Sequence, residues 1–400
     1  MSSDAPKKHL HGLDGLRAIA CIAVFFDHVE QYKEWLSLPN HYGKWMQVLG
    51  RQGVELFFVL SGYLITYRMF LEQRESGSVS IPRFYARRAL RIWPLYYVTL
   101  VAVFLFVPWM VQHLAGPFVR EAAQPYLEGY FTPGDHRVFW YGLILPHVAY
   151  FTAPTVLAGG HCWSIGVEEQ FYLVWPWLMR LARGRELAAF VAVVLLAVTF
   201  NDVVFPWGAS IEARHGWETL DRLRNFADHA HFEAMAIGGC VGWAAAHHQG
   251  VLDRLARDRT ARIAAWAILP FGVYHYGLWH GQLGPALLYA FALAVFSHGD
   301  KSPVLESKWL TALGTRSYAI YLVHPFAMFS LAIALERAGL RTPAHGVTYT
   351  IACAVATVAL AMLAHRFVEQ PALRLKDRLP SRDRSLSPPL AAEASPGGSA

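Results

Sequence analysis

The sequence predicts an all-α, polytopic integral membrane protein in which about ten transmembrane helices surround a central cavity or tunnel. Only 16% of the 400 residues are charged and 54% are hydrophobic, whereas soluble domains average about 25% charged residues. Apolar runs of about 17 to 25 residues, long enough to cross about 30 Å of hydrocarbon as helix, recur along most of the chain. We predict spans at 16–36, 54–71, 92–113, 165–182, 187–206, 226–247, 262–279, 282–298, 317–335 and 347–368.

The segment 137–151 decides how these spans are oriented. It is apolar but short, and it contains Pro146 and His147. If it does not cross, 25 of the 35 Lys and Arg residues lie on the side of the amino terminus; if it crosses, only 14 do. Because basic loops concentrate in the cytoplasm, we predict that 137–151 is interfacial or re-entrant and that both termini are cytoplasmic, in a plasma (inner) membrane. Residues 1–378 then form one membrane domain, and 379–400, rich in Pro, Ser, Gly and Ala, form a disordered cytoplasmic tail.

Composition also limits the expected cofactors and partners. The four cysteines are scattered singly without the spacing of a metal site, so we expect no bound metal and interpret them as small core residues. The net charge of +6 suits contact with anionic lipid. No Gly-rich phosphate loop or nucleic-acid motif accompanies this charge, so we expect the lipid bilayer as a partner and no nucleic acid. The sequence leaves open whether the chain forms a homo-oligomer.

The first span carries two ionisable groups on one face. Arg17 and His28 are 11 residues apart, which at about 100° per residue is three turns plus about 20°, with a rise of about 16 Å. With Arg17 at the cytoplasmic boundary, His28 lies near the middle of the bilayer, where ionisable groups usually face a cavity. A snorkelling Arg17 and a hydrogen-bonded core His28 would explain the same pattern. Asp27 lies about 100° from His28 around the helix, so spacing alone does not make it the partner of the imidazole.

The third span opens with a run of arginines in "RFYARRALRIWPLYY". Arg88 and Arg91 are three residues apart and Arg87 and Arg91 are four apart, so two guanidinium groups can share a helix face. Their planar donors pair bidentately with phosphate oxygens. We therefore predict a phosphate site at Arg88 and Arg91, with Arg83 or Arg87 nearby. A positive-inside signal that contacts lipid headgroups is the alternative.

Two adjacent carboxylates lie one turn into the fourth span. Glu168 and Glu169 follow "HCWSIGV" and are flanked by Trp163 and Tyr172. These aromatic neighbours predict the lining of a pocket, in which one carboxylate pairs with an arginine or an imidazole. The helix dipole also favours acidic groups near a helix amino terminus, which is a structural alternative. Spacing does not tell which carboxylate makes the pair.

Other spans carry further polar groups. Glu55 lies at the outer start of the second span, in which the small residues Ser61 and Gly62 allow close helix packing. His324 precedes Pro325, whose missing N–H frees a carbonyl and kinks the helix. We predict that His324 lines a cavity, although a packed core histidine is nearly as good an interpretation. A weaker cluster near the outer end of the sixth span contains Asp228, His231 and Glu233.

Six motifs, taken in chain order, resemble the membrane acyltransferase-3 family of bacteria. They are "LDGLRAIACIAVFFDH", "GVELFFVLSGYLIT", "RFYARRALRIWPLYY", "WSIGVEEQFYLVWP", "SYAIYLVHPF" and "HRFVEQPA", and they cover about residues 13–371. The resemblance implies a ten-span enzyme that moves an acyl group, commonly acetyl from acetyl-coenzyme A. It also implies an acceptor hydroxyl on a saccharide, a lipid-linked glycan or a glycosylated natural product.

The resemblance also assigns residues. The arginine and histidine that the family separates by ten residues fall on Arg17 and His28, and its arginine pair falls on Arg88 and Arg91. The usual Trp-Ser-Leu of the fourth span is Trp-Ser-Ile at 163–165 here, a mild departure that leaves the two glutamates in place.

These expectations combine into one mechanism. Acyl-coenzyme A enters from the cytoplasm, and His28 removes a proton from the acceptor hydroxyl, tuned by Asp27, Glu168 or Glu169. The donor-binding residues are expected to be Arg17, Arg83, Arg87, Arg88 and Arg91, and the substrate-binding residues to be Glu55, Trp163, Tyr172 and His324. A secondary transporter, with His28, Glu168 and His324 as a proton relay or substrate site, is the alternative hypothesis.

Overall fold

The structure, a computed structural model, describes residues 11–128, 134–152, 155–200, 230–274, 283–298, 301–340 and 342–377. Within these ranges the chain forms helices, turns and loops and no β-strand. The prediction of an all-α protein is therefore confirmed for the part of the chain that the structure describes.

The first half of the chain begins with a long antiparallel helix pair, α1 and α2. A π-helical turn, Ala102–Phe106, joins α3 to α4, and a 3₁₀ turn, Gly160–Cys162, precedes α8. The helices are α1 (Leu13–Trp35), α2 (Lys44–Ser76), α3 (Ile81–Val101), α4 (Val107–His113), α5 (Pro117–Leu127), α6 (Arg137–Gly142), α7 (Pro146–Thr152), α8 (Trp163–Leu181) and α9 (Glu186–Thr199).

The second half ends with two long helices. A 3₁₀ turn, Pro343–His345, precedes α16, and a π-helical turn, His365–Glu369, continues it into α17. The helices are α10 (Phe232–His247), α11 (Gln249–Arg257), α12 (Arg259–Tyr274), α13 (Leu283–Phe296), α14 (Lys308–Thr315), α15 (Ser317–Arg337), α16 (Gly346–Ala364) and α17 (Gln370–Asp377).

Among the described residues, four helical stretches are long and apolar enough to cross a bilayer: Lys44–Ser76, Ile81–His113, Ser317–Arg337 and Gly346–Leu375. They make the chain a multi-pass membrane protein. The described parts of the other predicted spans also lie largely in helices. However, α9 and α13 have only 14 described residues each, and α1 carries several charged residues. The number of ten spans therefore stays a prediction.

Helix α16 shows which surface faces lipid. Val347, Ile351 and Val355 are 72%, 60% and 65% exposed, and their spacing of four residues places them on one helix face. A long exposed apolar stripe is unfavourable in water, whereas lipid tails are apolar like the side chains themselves. This face of α16 therefore belongs to the lipid-facing surface of the protein.

The segment 137–151 folds as two short helices rather than one. The helices α6 and α7 have six and seven residues, and Ile144 between them adopts a left-handed conformation with φ 59°. Neither helix is long enough to span a bilayer alone. The interfacial or re-entrant location of 137–151 stays a prediction. The disordered tail also stays a prediction, because residues 378–400 lie outside the described ranges.

Helix α2 is packed closely between α1 and α10 by small residues. A Cβ atom on Gly53 would lie 2.6 Å from the carbonyl oxygen of Ala20 on α1, and one on Gly62 would overlap the carbonyl oxygen of Met235 on α10. Glycine therefore lets the backbones approach each other, as membrane helix interfaces commonly require. The predicted packing role of Gly62 agrees with this contact.

We expect Gly62→Ala to destabilise the protein, because the added methyl group must displace the backbone of α10. Overpacking of this kind costs about 1–3 kcal/mol. Gly250→Ala is the matched control, since Gly250 lies in α11 with nothing within 4 Å of its Cβ position. The measurement is the thermal unfolding midpoint of each purified variant in detergent. Equal midpoints for Gly62→Ala and the control would contradict the close contact between α2 and α10.

Candidate active site

One end of the bundle gathers four arginines around a cavity. Helices α1, α3 and α15 all begin at this end, which we call the basic end. Arg17 from α1, Arg68 from α2, and Arg88 and Arg91 from α3 line the cavity, which together with the open space at its mouth contains about 920 Å³ not filled by atoms. Polar groups among the other lining residues include Ser61, Ser164, Glu168, Tyr172, Tyr318 and Tyr321.

Few carboxylates offset the positive charge of the arginines in the cavity. Arg17 donates to Asp14 on its own helix at 2.8 Å. Arg68, Arg88 and Arg91 form no ion pair with any described residue. The Nε atom of Arg88 is buried without a hydrogen-bond partner. A cavity with four arginines and one carboxylate in its lining is suited to an anion with several charged oxygens.

Glu168 is the carboxylate of this cavity. Its Oε1 atom accepts hydrogen bonds from the hydroxyls of Ser61 on α2 and Tyr172 one turn along α8, and both contacts are short. The guanidinium of Arg88 lies 5.7 Å from the centre of the Tyr172 ring, a cation–π contact. Glu168 therefore belongs to the arginine cavity, and Tyr172 holds both the carboxylate and Arg88 in place.

Two of the predicted phosphate ligands lie away from the cavity. Arg87 donates to Glu72 on α2 at 2.6 Å, and the same carboxylate accepts from the backbone N–H of Ser80 at 3.1 Å. The Arg87–Glu72 ion pair thus stabilises the connection between α2 and α3. Arg83 does not line the cavity either. Arg68 lines the cavity instead. It was not predicted, because it lies near the carboxyl end of α2, far in the sequence from the other arginines of the cavity.

Beyond the cavity, three imidazoles form a second cluster. His28 on α1 and His324 on α15 lie with Nδ1 and Nε2 2.7 Å apart. The ring of His161, just before α8, lies 5.2 Å from that of His324 and 6.4 Å from that of His28. His161 was not among the predicted site residues, since its only signal in the sequence is an imidazole next to the apolar start of α8. Across the described ranges, no cluster of His, Cys, Asp and Glu side chains has the arrangement of a metal site.

A pair of hydroxyls separates the arginine cavity from the imidazoles. Ser164 Oγ and Tyr321 Oη lie 2.6 Å apart, and Tyr321 also donates to the carbonyl oxygen of His161 at 2.9 Å. Both side chains line the cavity, whereas none of the imidazoles does. Arg17 and His28 lie on the same helix, but only Arg17 lines the cavity, whereas His28 belongs to the imidazole cluster.

No carboxylate touches the His28 imidazole in the described structure. Asp27 packs against α2 at Gly50, with its Oδ1 atom buried and without a hydrogen bond. Glu169 accepts from the indole of Trp93 on α3 at 3.1 Å. Because Glu168 also lies in the arginine cavity, the ring partner of His28 is His324 rather than Asp27, Glu168 or Glu169.

Glu55 and Trp163 belong to a third group. Glu55 Oε2 lies 2.7 Å from Nδ1 of His231, whose ring stacks on Phe58 at 4.9 Å and lies 5.8 Å from Trp163. Neither Glu55 nor Trp163 lines the cavity, whereas Tyr172 does. Of the weaker predicted cluster, Asp228 lies outside the described residues.

The sequence matches the profile of a family described as "Acyltransferase domain" over residues 10–366. The chain belongs to the acyltransferase-3 family. The family resemblance of the six motifs is thereby confirmed, and membership favours the enzymatic hypothesis over the transporter hypothesis.

Curated relatives carry O-acetyltransferase names. A peptidoglycan O-acetyltransferase of Listeria monocytogenes is 28% identical over 393 residues, which cover 91% of this chain and 56% of the relative. An O-acetyltransferase of Staphylococcus aureus is 26% identical over 386 residues, which cover 91% of this chain and 57% of the relative. The chain therefore spans somewhat more than half the length of these relatives. No solved structure matches it.

Proposed function

We propose that this protein is an integral-membrane O-acyltransferase that moves an acetyl group from acetyl-coenzyme A to a hydroxyl of a saccharide. The observation that carries the proposal is a four-arginine cavity that adjoins an imidazole cluster: Tyr321 lines the cavity, and its ring lies 5.3 Å from that of His161 and 5.9 Å from that of His324. An anion-binding cavity next to a set of proton acceptors is what transfer from a phosphate-bearing donor to a hydroxyl requires.

The donor binds through its phosphates in the arginine cavity. Coenzyme A carries a diphosphate and a 3′-phosphate, and guanidinium groups pair with such oxygens in bidentate geometry. Arg88 and Arg91 supply two adjacent groups on α3, and the exposed Arg68 lies at the cavity on α2. The excess of Lys and Arg on this side supports a cytoplasmic location of the basic end, where acyl-coenzyme A is available.

His28 is the general base. As the acceptor hydroxyl attacks the thioester carbonyl carbon, the imidazole removes its proton. The C–S bond then breaks, and the departing thiolate of coenzyme A takes the proton from the imidazolium, so that the products are an O-acyl ester and free coenzyme A. General base catalysis contributes about 10²–10⁴-fold to such steps. The pantetheine arm must displace the Ser164–Tyr321 pair to bring the thioester to His28.

The acceptor is a saccharide hydroxyl that reaches the imidazole cluster from the end opposite the basic end. The relatives named above support this choice, since one is named for peptidoglycan, a polymer with free sugar hydroxyls, and both are named as O-acetyltransferases. Entry from opposite ends keeps the thioester out of contact with water until the acceptor is in place. The protein accordingly acts in the plasma membrane on a cell-envelope glycan.

We expect His28→Gln to lower the release of coenzyme A from acetyl-coenzyme A by at least about 100-fold, because the base is lost. The assay uses purified protein in lipid nanodiscs with N-acetylglucosamine oligosaccharides as acceptor, and equilibrium binding of acetyl-coenzyme A should stay unchanged. His41→Gln is the control, since His41 is an exposed imidazole outside the cluster. Wild-type turnover by His28→Gln would remove His28 from the chemistry.

We expect the double substitution of Arg88 and Arg91 by Gln to raise the KM for acetyl-coenzyme A more than about tenfold, because charge-assisted bonds to phosphate are lost. The KM for S-acetylpantetheine, which lacks the adenosine phosphates, should change little. Arg87→Gln is the matched control, since Arg87 pairs with Glu72 and lies outside the cavity. An equal rise in KM for both donors would contradict phosphate binding by these arginines.

A further inference from the structure

The hydrogen bonds of His324 determine which of its ring nitrogens carries a proton. Its Nδ1 atom lies 2.7 Å from the carbonyl oxygen of Tyr321 and 3.2 Å from that of Ile320. A carbonyl oxygen can only accept, so Nδ1 of His324 is the donor. In a neutral imidazole the other nitrogen, Nε2, then holds a lone pair.

Pro325 explains why one of these carbonyls is free. In a regular α-helix the carbonyl of Tyr321 accepts from the backbone N–H four residues later, which is position 325. Proline has no N–H, so this carbonyl loses its helix partner. The side chain of His324 donates to it instead. Pro325 therefore leaves the Tyr321 carbonyl without a helix donor, and His324 supplies the replacement donor. This hydrogen bond fixes the orientation of the His324 ring.

The hydrogen bond to His324 also determines which ring nitrogen of His28 carries the proton. Its Nδ1 atom lies 2.7 Å from Nε2 of His324. Because that nitrogen holds a lone pair, Nδ1 of His28 must donate, and Nε2 of His28 is left as the proton-accepting atom. The hydrogen bond of one ring nitrogen sets the protonation of the other.

Both rings are neutral in this arrangement. His324 is only 2% exposed, and a buried cation is costly unless a carboxylate pairs with it. No carboxylate among the described residues bonds to His28 or His324; His161 and Tyr321 are the titratable groups that face them. A neutral His324 can accept from His28, whereas a cationic one could not.

We propose that His324 is the positioning residue of the transfer reaction and that it fixes His28 as the tautomer with its lone pair on Nε2. The proposal rests on the proposed function, since it assumes that His28 is the base. The acceptor hydroxyl then has to approach Nε2, because Nδ1 is covered by His324. When His28 takes up the proton, its Nδ1–H bond to His324 becomes charge-assisted and stabilises the imidazolium.

Two substitutions separate this role from simple packing. The amide of Asn in His324→Asn can keep the donor to the Tyr321 carbonyl but has no atom at the position of Nε2. The longer side chain in His324→Gln can place an amide oxygen where Nε2 accepts from His28. We expect kcat to fall by about 100-fold or more in His324→Asn and by less than about tenfold in His324→Gln, with the KM for acetyl-coenzyme A unchanged in both. Equal losses of kcat in the two variants would overturn the positioning role.

The tautomer of His28 can also be measured directly, without enzymatic turnover. Nitrogen-15 NMR of protein labelled at histidine distinguishes protonated from unprotonated ring nitrogens, and the His28 signals are those missing from His28→Gln. We expect a protonated Nδ1 and an unprotonated Nε2 in the wild type at neutral pH. A protonated Nε2 on His28 would overturn the proposal. If the expected signals appear but the wild type does not release coenzyme A, the tautomer assignment stands and the proposed function fails.

Discussion

The cost of charge inside a membrane is the constraint on which this structure depends. Ionisable side chains cannot face lipid without a large penalty, so they must share a protein interior. Here that interior is the space between α1, α2, α3, α8 and α15, and apolar side chains cover the outer surface of helices such as α16. Glycine contacts bring α2 close to both α1 and α10. The arginines and imidazoles gather because the bundle offers them one interior in which to lie.

The described interior holds two groups of polar side chains, the arginine cavity and the imidazole cluster. Ser164 and Tyr321 connect the two groups: the Tyr321 hydroxyl donates to the backbone carbonyl of His161, and Ser164 can donate to the Tyr321 hydroxyl. A boundary made of two hydroxyls can rearrange more readily than one made of packed backbone, because each hydroxyl has alternative hydrogen-bond partners. In the proposed mechanism, binding energy from the remote phosphates of the donor is used to bring the thioester past these two hydroxyls.

The helices could be predicted from the sequence better than the side-chain partners that meet between different helices. Arg88 and Arg91 line one cavity, and their spacing of three residues allowed a shared helix face to be predicted. Spacing within one helix says nothing about which side chain of another helix fills the gap. For that reason Tyr321 from α15 could not be foreseen between Arg17 and His28, nor His324 as the ring partner that a carboxylate was expected to supply. The helix before Pro325 did contain the clue, since a freed carbonyl needs a donor.

A structure of the protein with a non-hydrolysable thioether analogue of acetyl-coenzyme A would test whether the arginine cavity and the imidazole cluster are two ends of one donor path. We expect phosphate oxygens within hydrogen-bond distance of Arg88 and Arg91. We also expect a separated Ser164–Tyr321 pair and the acyl carbonyl beside Nε2 of His28. An analogue whose phosphates lie elsewhere, or whose acyl end stays away from His28 behind an intact Ser164–Tyr321 pair, would contradict it.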